Sequence, residues 1–420
     1  MKVGGTIRVP GDKSISHRAL IFAALADGES RICDILPSAD VHSTARVLAA
    51  LGVAVPTLSA DFTVVGRGPH AFTAPSGNLD CGNSGTTARL VAGVAAALPF
   101  TSRFVGDASL SRRPMRRIAK PLREMGATVD VAPNDGLPMT ITGGPLHAIA
   151  WRSETASAQV KSAMLLAGVA AGVEVTVHEP ARSRDHTERL LTALGATVAV
   201  TGATVRLAPP GRLAPLRLRV PGDPSSAAFL TALAVLANHG ALTLPDVCLN
   251  PTRTGFYAAL ERMGANVTLD QRESQGGEPV GAIVARASSL TGIDLGRDDA
   301  PSMIDELPLV ACLAARAAGT TTIRGAEELR VKESDRIATV VANLRAIGVN
   351  ADELPDGMCI EGCERPLRGS INTHGDHRIA MAFGVLRALP NSDIAIDDTA
   401  CVSVSYPEFW NDVARAIVSE

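Results

Sequence analysis

Arg8-Val9-Pro10-Gly11-Asp12-Lys13-Ser14-Ile15-Ser16-His17-Arg18 is the stretch that the rest of the chain is arranged around. Its first five residues return far downstream as Arg219-Val220-Pro221-Gly222-Asp223. The first copy runs into Lys13, Ser14, Ser16, His17 and Arg18, a dense set of anion-binding groups. The second runs into Pro224-Ser225-Ser226-Ala227, which holds no cation. The pair reads as two equivalent backbone positions, only one of which carries chemistry.

Outward from these copies a longer repeat appears. Apolar, small-residue helix patterns occupy Ser14–Ala26, Gly85–Ala97, Ser157–Ala171, Ser225–Asn238, Asp305–Ala318 and Asp376–Leu389. They are apolar nearly all round, so they are expected to be buried. An amphipathic stretch follows each one. Five of these end in a glycine and then a β-branched run, as in Leu194-Gly195-Ala196-Thr197-Val198 and Met263-Gly264-Ala265-Asn266-Val267. Gly suits the left-handed position just past a helix. The sixth, Pro407–Val418, is expected to meet the chain end as a helix. The unit is helix, strand, helix, strands, six times over, with a period of roughly seventy residues, longer than solenoid repeats. The reading is α/β, with buried helices and outer sheets. One half is 11–222 and the other is 1–10 with 223–420, with Gly11 and Gly222 as crossing points and expected hinges.

Bulk composition narrows the function. The 420 residues are 46% hydrophobic, enough for a large core, and the net charge of −3 creates no field favouring nucleic acid. Aromatics at 3% cannot supply a base-stacking platform. The seven cysteines are scattered; Cys359 and Cys363 are the one close pair, and no second pair completes a zinc spacing. They read as reduced thiols of a cytoplasmic protein, with no metal. The N-terminus lacks an apolar signal region, and apolar stretches such as Ala163–Val173 are too short to span a bilayer.

Charged residues gather at the heads of the buried helices or just before the outer ones. Helix N-termini present free N–H groups and partial positive charge, so several facing one gap would trap anions. The clusters are Lys13, Ser14 and Arg18; Cys81-Gly82-Asn83-Ser84-Gly85-Thr86-Thr87; Arg113 before Pro114, where a helix is expected to begin; Ser157-Ala158-Gln159; Arg182-Ser183-Arg184-Asp185-His186; Asp305-Glu306; Leu329–Arg336; and Asp376-His377-Arg378. Helix capping is a competing account of the first, fifth and sixth of them, a common turn of the second, and a solvated helix face of Leu329–Arg336. For Asp376-His377-Arg378 the competing account is packing, and three ionic groups ahead of Ile379-Ala380-Met381 are hard to explain that way.

Gly11–Arg18, Gly82–Thr86, Leu329–Arg336 and Asp376–Met381, in this order and over the whole chain, resemble the 5-enolpyruvylshikimate-3-phosphate synthase family of enolpyruvyl transferases. The resemblance implies a two-lobed inverse α/β barrel of six βαβαββ repeats, three per lobe. It also implies transfer of the enolpyruvyl group of phosphoenolpyruvate to the 5-hydroxyl of 3-phosphoshikimate, with no cofactor and no metal. By the same resemblance Ser14, Arg18, Ser157, Ala158, Gln159, Asp305 and Lys332 hold 3-phosphoshikimate. Gly85, Arg113, Gln159, Arg336 and Arg378 hold phosphoenolpyruvate, and Lys13 lies between the two ligands. Asp305 is implied as the base and Glu333 as the acid, with Lys13 sharing proton transfer. The expected partners are these two small molecules, with no nucleic acid and no membrane, and the expected state is a monomer.

Some members carry a Lys before the last helix, where Ser403-Val404-Ser405-Tyr406-Pro407 has none, and His186 stands where others have Tyr. Gly85 is kept, as in glyphosate-sensitive forms. Two rivals remain. A UDP-N-acetylglucosamine enolpyruvyl transferase is expected to have a loop cysteine near Arg103–Arg117, which is absent here. A non-catalytic anion-binding repeat protein gains nothing from carboxylates such as Asp305 and Glu333 beside its phosphates.

Overall fold

The computed structural model describes residues 1–418. Gly11–Val220 and Ser274–Glu278 form one compact unit; Met1–Pro10, Pro221–Glu273 and the chain from Pro279 onward form a second.

The first unit carries α1 (Lys13–Leu25), α2 (Ala39–Ala50), α3 (Gly85–Ala96), α4 (Arg116–Glu124), α5 (Ala158–Ala171) and α6 (His186–Ala193). Helices α1, α3 and α5 are buried on nearly every side, as their apolar patterns require. Helices α2, α4 and α6 keep an outer face. A Cβ on Gly93 of α3 would lie 2.1 Å from the Ala163 carbonyl oxygen of α5, so only glycine permits that approach. The arginine-rich helix α4 begins at Arg116, two residues beyond the start that Pro114 implied.

The sheets repeat as regularly as the helices. Leu79–Asp80, Thr101–Val105, Met139–Thr142 and Thr128–Val131 lie side by side in that order. The first two are parallel, as strands joined through a helix must be, and the others antiparallel. The same order and polarity recur in Ile149–Arg152, Val175–His178, Thr204–Leu207 and Val198–Thr201.

The second unit carries α7 (Pro224–Val235), α8 (Gly255–Arg262), α9 (Leu307–Ala314), α10 (Arg336–Ala346), α11 (His377–Arg387) and α12 (Phe409–Ala416). Every residue of α7 and α9 is buried, and α11 packs against both. Asp294–Leu295, Thr320–Ile323, Gly357–Glu361 and Asn350–Leu354 repeat the strand pattern of the first unit. Each unit is thus three repeats of βαβαββ type with helices inside and sheets outside; the opening repeat of the first unit has a three-stranded sheet and the last repeat of the second a two-stranded one. Gly52, Gly126, Gly195, Gly264 and Gly348, the recurrent helix-ending glycines, have φ between 88° and 115°.

The duplicated Arg-Val-Pro-Gly-Asp now has a structural meaning. The strand that pairs in parallel with Asp27–Cys33, just after α1, is Arg217–Arg219. The strand that pairs in parallel with His239–Cys248, just after α7, is Lys2–Val3. The leading strands of the two opening repeats are therefore exchanged along the sequence. Asp12 and Asp223 then cap α1 and α7, accepting from Ile15 N and Ser225 N at 2.8 Å each. At the other end, Pro407–Val418 is not helical throughout: α12 stops at Ala416, and Ile417–Val418 pairs antiparallel with Lys2–Val3. The helix expected over Asp305–Ala318 is also shorter, which leaves Asp305 and Glu306 on the turn before α9. Among the described residues no helix is long and apolar enough to cross a membrane.

Candidate functional site

In the first unit the expected residues lie at the N-terminal ends of α1, α3 and α5. Lys13 opens α1, and its Nζ lies 3.2 Å from Asp40 Oδ2 on α2. Ser14 follows, and its carbonyl accepts from Arg18 Nη1 at 3.0 Å. Arg18 donates through Nε to Thr187 Oγ1 and through Nη2 to Ser162 Oγ, both at 2.8 Å. Burial pushes the Arg18 pKa down to about 10, still charged at neutral pH. Its planar fork is therefore held in one orientation by neutral hydroxyls.

Ser84 caps α3, so Gly85 is the first residue of an N-terminus with free N–H groups. Arg113 donates to Asn83 Oδ1 at 2.8 Å, and a Cβ on Gly85 would lie 3.4 Å from Arg113 Nη1. Gln159, in the first turn of α5, accepts from Arg89 Nη1 at 2.6 Å and donates to Thr86 Oγ1 at 3.1 Å. Gly85, Arg113 and Gln159 are thus neighbours, joined by Arg89. Ser157 caps α5 and donates its N–H to Glu179 Oε1 at 2.9 Å, and Ala158 is the first helical residue.

Several members of this set were not singled out from sequence. Asp40 and Thr187 sit on outer helices, where a polar residue reads as solvated. Arg89 did carry a signal, being a guanidinium one turn past Gly85 in an otherwise apolar helix. His17 forms a buried chain, with Nδ1 2.6 Å from Thr44 Oγ1 and Thr44 2.7 Å from Thr87 Oγ1, which ties α1 through α2 to α3. Burial, then Lys13 and Arg18, hold the imidazole well below its ordinary pKa.

In the second unit Asp305, Lys332, Glu333, Arg336 and Arg378 come together. Asp305 Oδ1 lies 3.4 Å from Lys332 Nζ and 3.3 Å from Arg336 Nη1, and its carbonyl accepts from Arg378 Nη1 at 3.2 Å. Glu333 Oε2 accepts from Arg336 Nη2 at 2.6 Å. Behind them Asp376 grips the same guanidinium in a fork, Nε to Oδ2 at 2.8 Å and Nη2 to Oδ1 at 3.2 Å. It also caps α11 through Arg378 N. Burial opposes the Arg336 charge, yet Asp376 and Glu333 outweigh it and hold the guanidinium above its ordinary value. Asp376 is likewise pushed up by burial and pulled further down by Arg336. Glu306, not assigned a role from sequence, lies 3.4 Å from Arg378 Nη1 and accepts from Ser225. Cations of the kind that can bind oxyanions and carboxylates of the kind that can move protons are therefore side by side.

Comparison with known proteins places this arrangement. Residues 1–413 match the family model described as EPSP synthase (3-phosphoshikimate 1-carboxyvinyltransferase). A 3-phosphoshikimate 1-carboxyvinyltransferase of Sulfurihydrogenibium sp. is 44% identical over 420 residues, 99% of this chain and 97% of that protein. That of Xylella fastidiosa is 48% identical over 408 residues, 96% of this chain and 89% of its own. Among solved structures, EPSP synthase from Acinetobacter baumannii superposes with a TM-score of 0.87 at 40% identity, covering 99% of this chain and 96% of that one. The enolpyruvyl transferase NikO of Streptomyces tendae shares the fold, with a TM-score of 0.75 at 17% identity over 99% of this chain and 95% of that one. The chain belongs to the EPSP synthase (3-phosphoshikimate 1-carboxyvinyltransferase) family.

Proposed function

We propose that this chain transfers the enolpyruvyl group of phosphoenolpyruvate to the 5-hydroxyl of 3-phosphoshikimate and releases phosphate, the shikimate-pathway step toward aromatic amino acids. The observation that carries the reading is the Asp305 carboxylate set among Lys332, Arg336 and Arg378, with Glu333 on the same arginine. In this reading Asp305 takes the proton of the 5-hydroxyl. The 5-hydroxyl oxygen attacks C2 of phosphoenolpyruvate, while Glu333, with Lys13, delivers a proton to the methylene carbon. The tetrahedral ketal then loses phosphate and a methyl proton, which restores the double bond. Three proton transfers occur with no net oxidation: Asp305 holds the hydroxyl proton, and the carboxylate left when Glu333 protonates the methylene takes a methyl proton back, so two acid–base groups suffice.

Ser14, Arg18, Ser157, Ala158, Gln159 and Lys332 hold 3-phosphoshikimate beside Asp305. Gly85, Arg113, Gln159, Arg336 and Arg378 hold the phosphate and carboxylate of phosphoenolpyruvate, with Lys13 shared by both substrates. Cations kept from bulk water act far more strongly on such oxyanions. A cytoplasmic monomer that engages neither nucleic acid nor membrane completes the proposal.

Phosphate release tests it. Turnover is expected with phosphoenolpyruvate plus 3-phosphoshikimate and not with a nucleotide sugar. Silence with the first pair, or activity with the second, reverses the assignment.

A further inference from the structure

The first unit buries an ion triad that none of the roles above uses. Lys161, one turn into α5, places Nζ 2.8 Å from Glu179 Oε2 and 2.8 Å from Glu188 Oε1. All three side chains are within 5% of complete burial. Charges in such a place are costly unless every one is paired, so the triad calls for a reason. Burial opposes the Lys161 ammonium, and Glu188 and Glu179 outweigh it.

The two carboxylates differ in what else they touch. Glu188 lies on α6 and, beyond Lys161, has its second oxygen buried without a hydrogen-bond partner among the described residues. Glu179 follows the strand Val175–His178 and gathers two loops. It accepts from Ser157 N at 2.9 Å, from Ser183 Oγ at 2.8 Å and from Ser183 N at 3.4 Å. Ser157 is the cap of α5 and an expected contact of the phosphorylated substrate. Ser183 adjoins Arg184, in the cationic loop Arg182–Arg184. One residue along each helix from the triad, Ser162 and Thr187 hydrogen-bond each other at 2.7 Å and hold the Arg18 guanidinium. A single buried carboxylate thus fixes the Ser157 and Ser183 loops beside the seat of Arg18.

We infer that Glu179, anchored by Lys161, is a positioning residue for 3-phosphoshikimate: it sets Ser157 in binding geometry, and fixes the Ser183 loop beside it, without touching either substrate. The inference rests on the proposed assignment of Ser157 and Arg18 to that ligand. Its physical basis is preorganisation: a group held by buried ionic bonds loses little freedom when its anion arrives. Glu179 is well suited to this, because four donors converge on it from three directions. The phosphoenolpyruvate contacts Gly85 and Arg113 are not among its partners, and Gln159, which is proposed to touch both substrates, has its side chain held by Arg89 and Thr86 instead, so its main influence falls on 3-phosphoshikimate.

Two matched substitutions test this. Glu179→Gln and Glu188→Gln each remove one carboxylate charge from the triad and leave Lys161 one anionic partner. A purely structural triad responds to both alike. The positioning role predicts that Glu179→Gln raises KM for 3-phosphoshikimate about tenfold, the scale of one lost charge-assisted hydrogen bond. KM for phosphoenolpyruvate stays within about twofold, and Glu188→Gln moves neither KM by more than about twofold at a comparable loss of melting temperature. Glu179→Asp, which restores the charge one methylene short, falls between wild type and Gln. If Glu179→Gln does not fold, Glu179→Asp is compared with Glu188→Gln by the same readouts. Equal effects of the two glutamine variants, joint movement of both KM values, or an unmoved KM for 3-phosphoshikimate overturn the inference. Absence of wild-type turnover with 3-phosphoshikimate overturns the functional assignment instead. Normal wild-type turnover, with KM raised in Arg18→Lys but not in Glu179→Gln, overturns the positioning role alone.

Discussion

Asp376→Asn removes one oxygen's charge from behind the candidate site and leaves the backbone nearly undisturbed. Arg336 is 1% exposed and Asp376 wholly buried. Asp376 takes two of the guanidinium's hydrogen bonds, while Glu333 and Asp305 take others. Stripping the sole partner from a buried charge costs about 3–5 kcal/mol. Here two carboxylates remain and Asn keeps one acceptor oxygen, so the loss is about 2–3 kcal/mol. Asn caps helices as well as Asp does, so α11 adds little to the loss. A unit of this size loses about 2–4 °C per kcal/mol, so melting falls by roughly 5–10 °C. The pH dependence gives an independent check. The Asp376 carboxyl is held below its ordinary value, so its contribution is complete above the ordinary carboxylate range. It fades as pH falls toward the lowered value, so the gap between wild type and Asp376→Asn narrows in acid. Scanning calorimetry from neutral to acid pH reads both quantities. KM for phosphoenolpyruvate, which Arg336 is proposed to bind, rises about tenfold in the same variant. A melting temperature within 2 °C of wild type, with a gap that does not change with pH, refutes the idea that Asp376 compensates the buried guanidinium.

Three further outcomes are expected. Asp305→Asn lowers kcat by about 10²–10⁴ with modest change in either KM, read by phosphate release; a loss below tenfold removes Asp305 from proton transfer. Gly85→Ala sets a methyl 3.0 Å from Arg89 Nη1, so that guanidinium must give way by a few tenths of an ångström, while Arg113 Nη1 at 3.4 Å is only brought into contact. KM for phosphoenolpyruvate then rises and competition by glyphosate weakens, and unchanged inhibition would show that Arg89 is not displaced. His17 resists protonation in the fold, so the unfolded chain takes up a proton below its ordinary pKa of about 6.5 and stability falls there. His17→Asn, measured by thermal melting across that range, flattens the fall; identical slopes would mean that other groups account for it.

The repeat was legible because its signals are local. Apolar, small-residue helices and helix-ending glycines can each be read within a dozen residues, and they recur. The exchange of leading strands was not, because Arg217–Arg219 meets Asp27–Cys33 across almost the whole first unit and no local pattern announces it. At the site, cations such as Lys13 and Arg378 stood out because charges at the heads of apolar helices are hard to explain as packing. Their partners did not. Asp40 heads an ordinary amphipathic helix, and Glu179 follows a strand as any surface loop residue would. Burial turns these carboxylates from solvated groups into structural ones, and burial is a property of the fold, not of the neighbouring sequence.

Exposure divides the carboxylates around Arg336 and Arg378 into two pairs. A cluster of cations without ligand repels itself and loses hydration, and nearby acids offset both effects. Those acids also compete with an incoming phosphate, so their placement matters. The Asp376 and Glu306 side chains are 0% and 2% exposed, behind Arg336 and Arg378. They compensate charge and have no exposed face for a substrate. The Asp305 and Glu333 side chains are 13% and 21% exposed. They share the same arginine but keep an open edge, which a proton-transfer group must have to reach a substrate hydroxyl or an enol carbon. Charge-neutralising substitutions should therefore divide the four: Asp376 and Glu306 variants lose stability first, whereas Asp305 and Glu333 variants lose turnover at nearly unchanged melting temperature. A Glu306→Gln variant that kept its melting temperature but lost turnover as Glu333→Gln does would break that division.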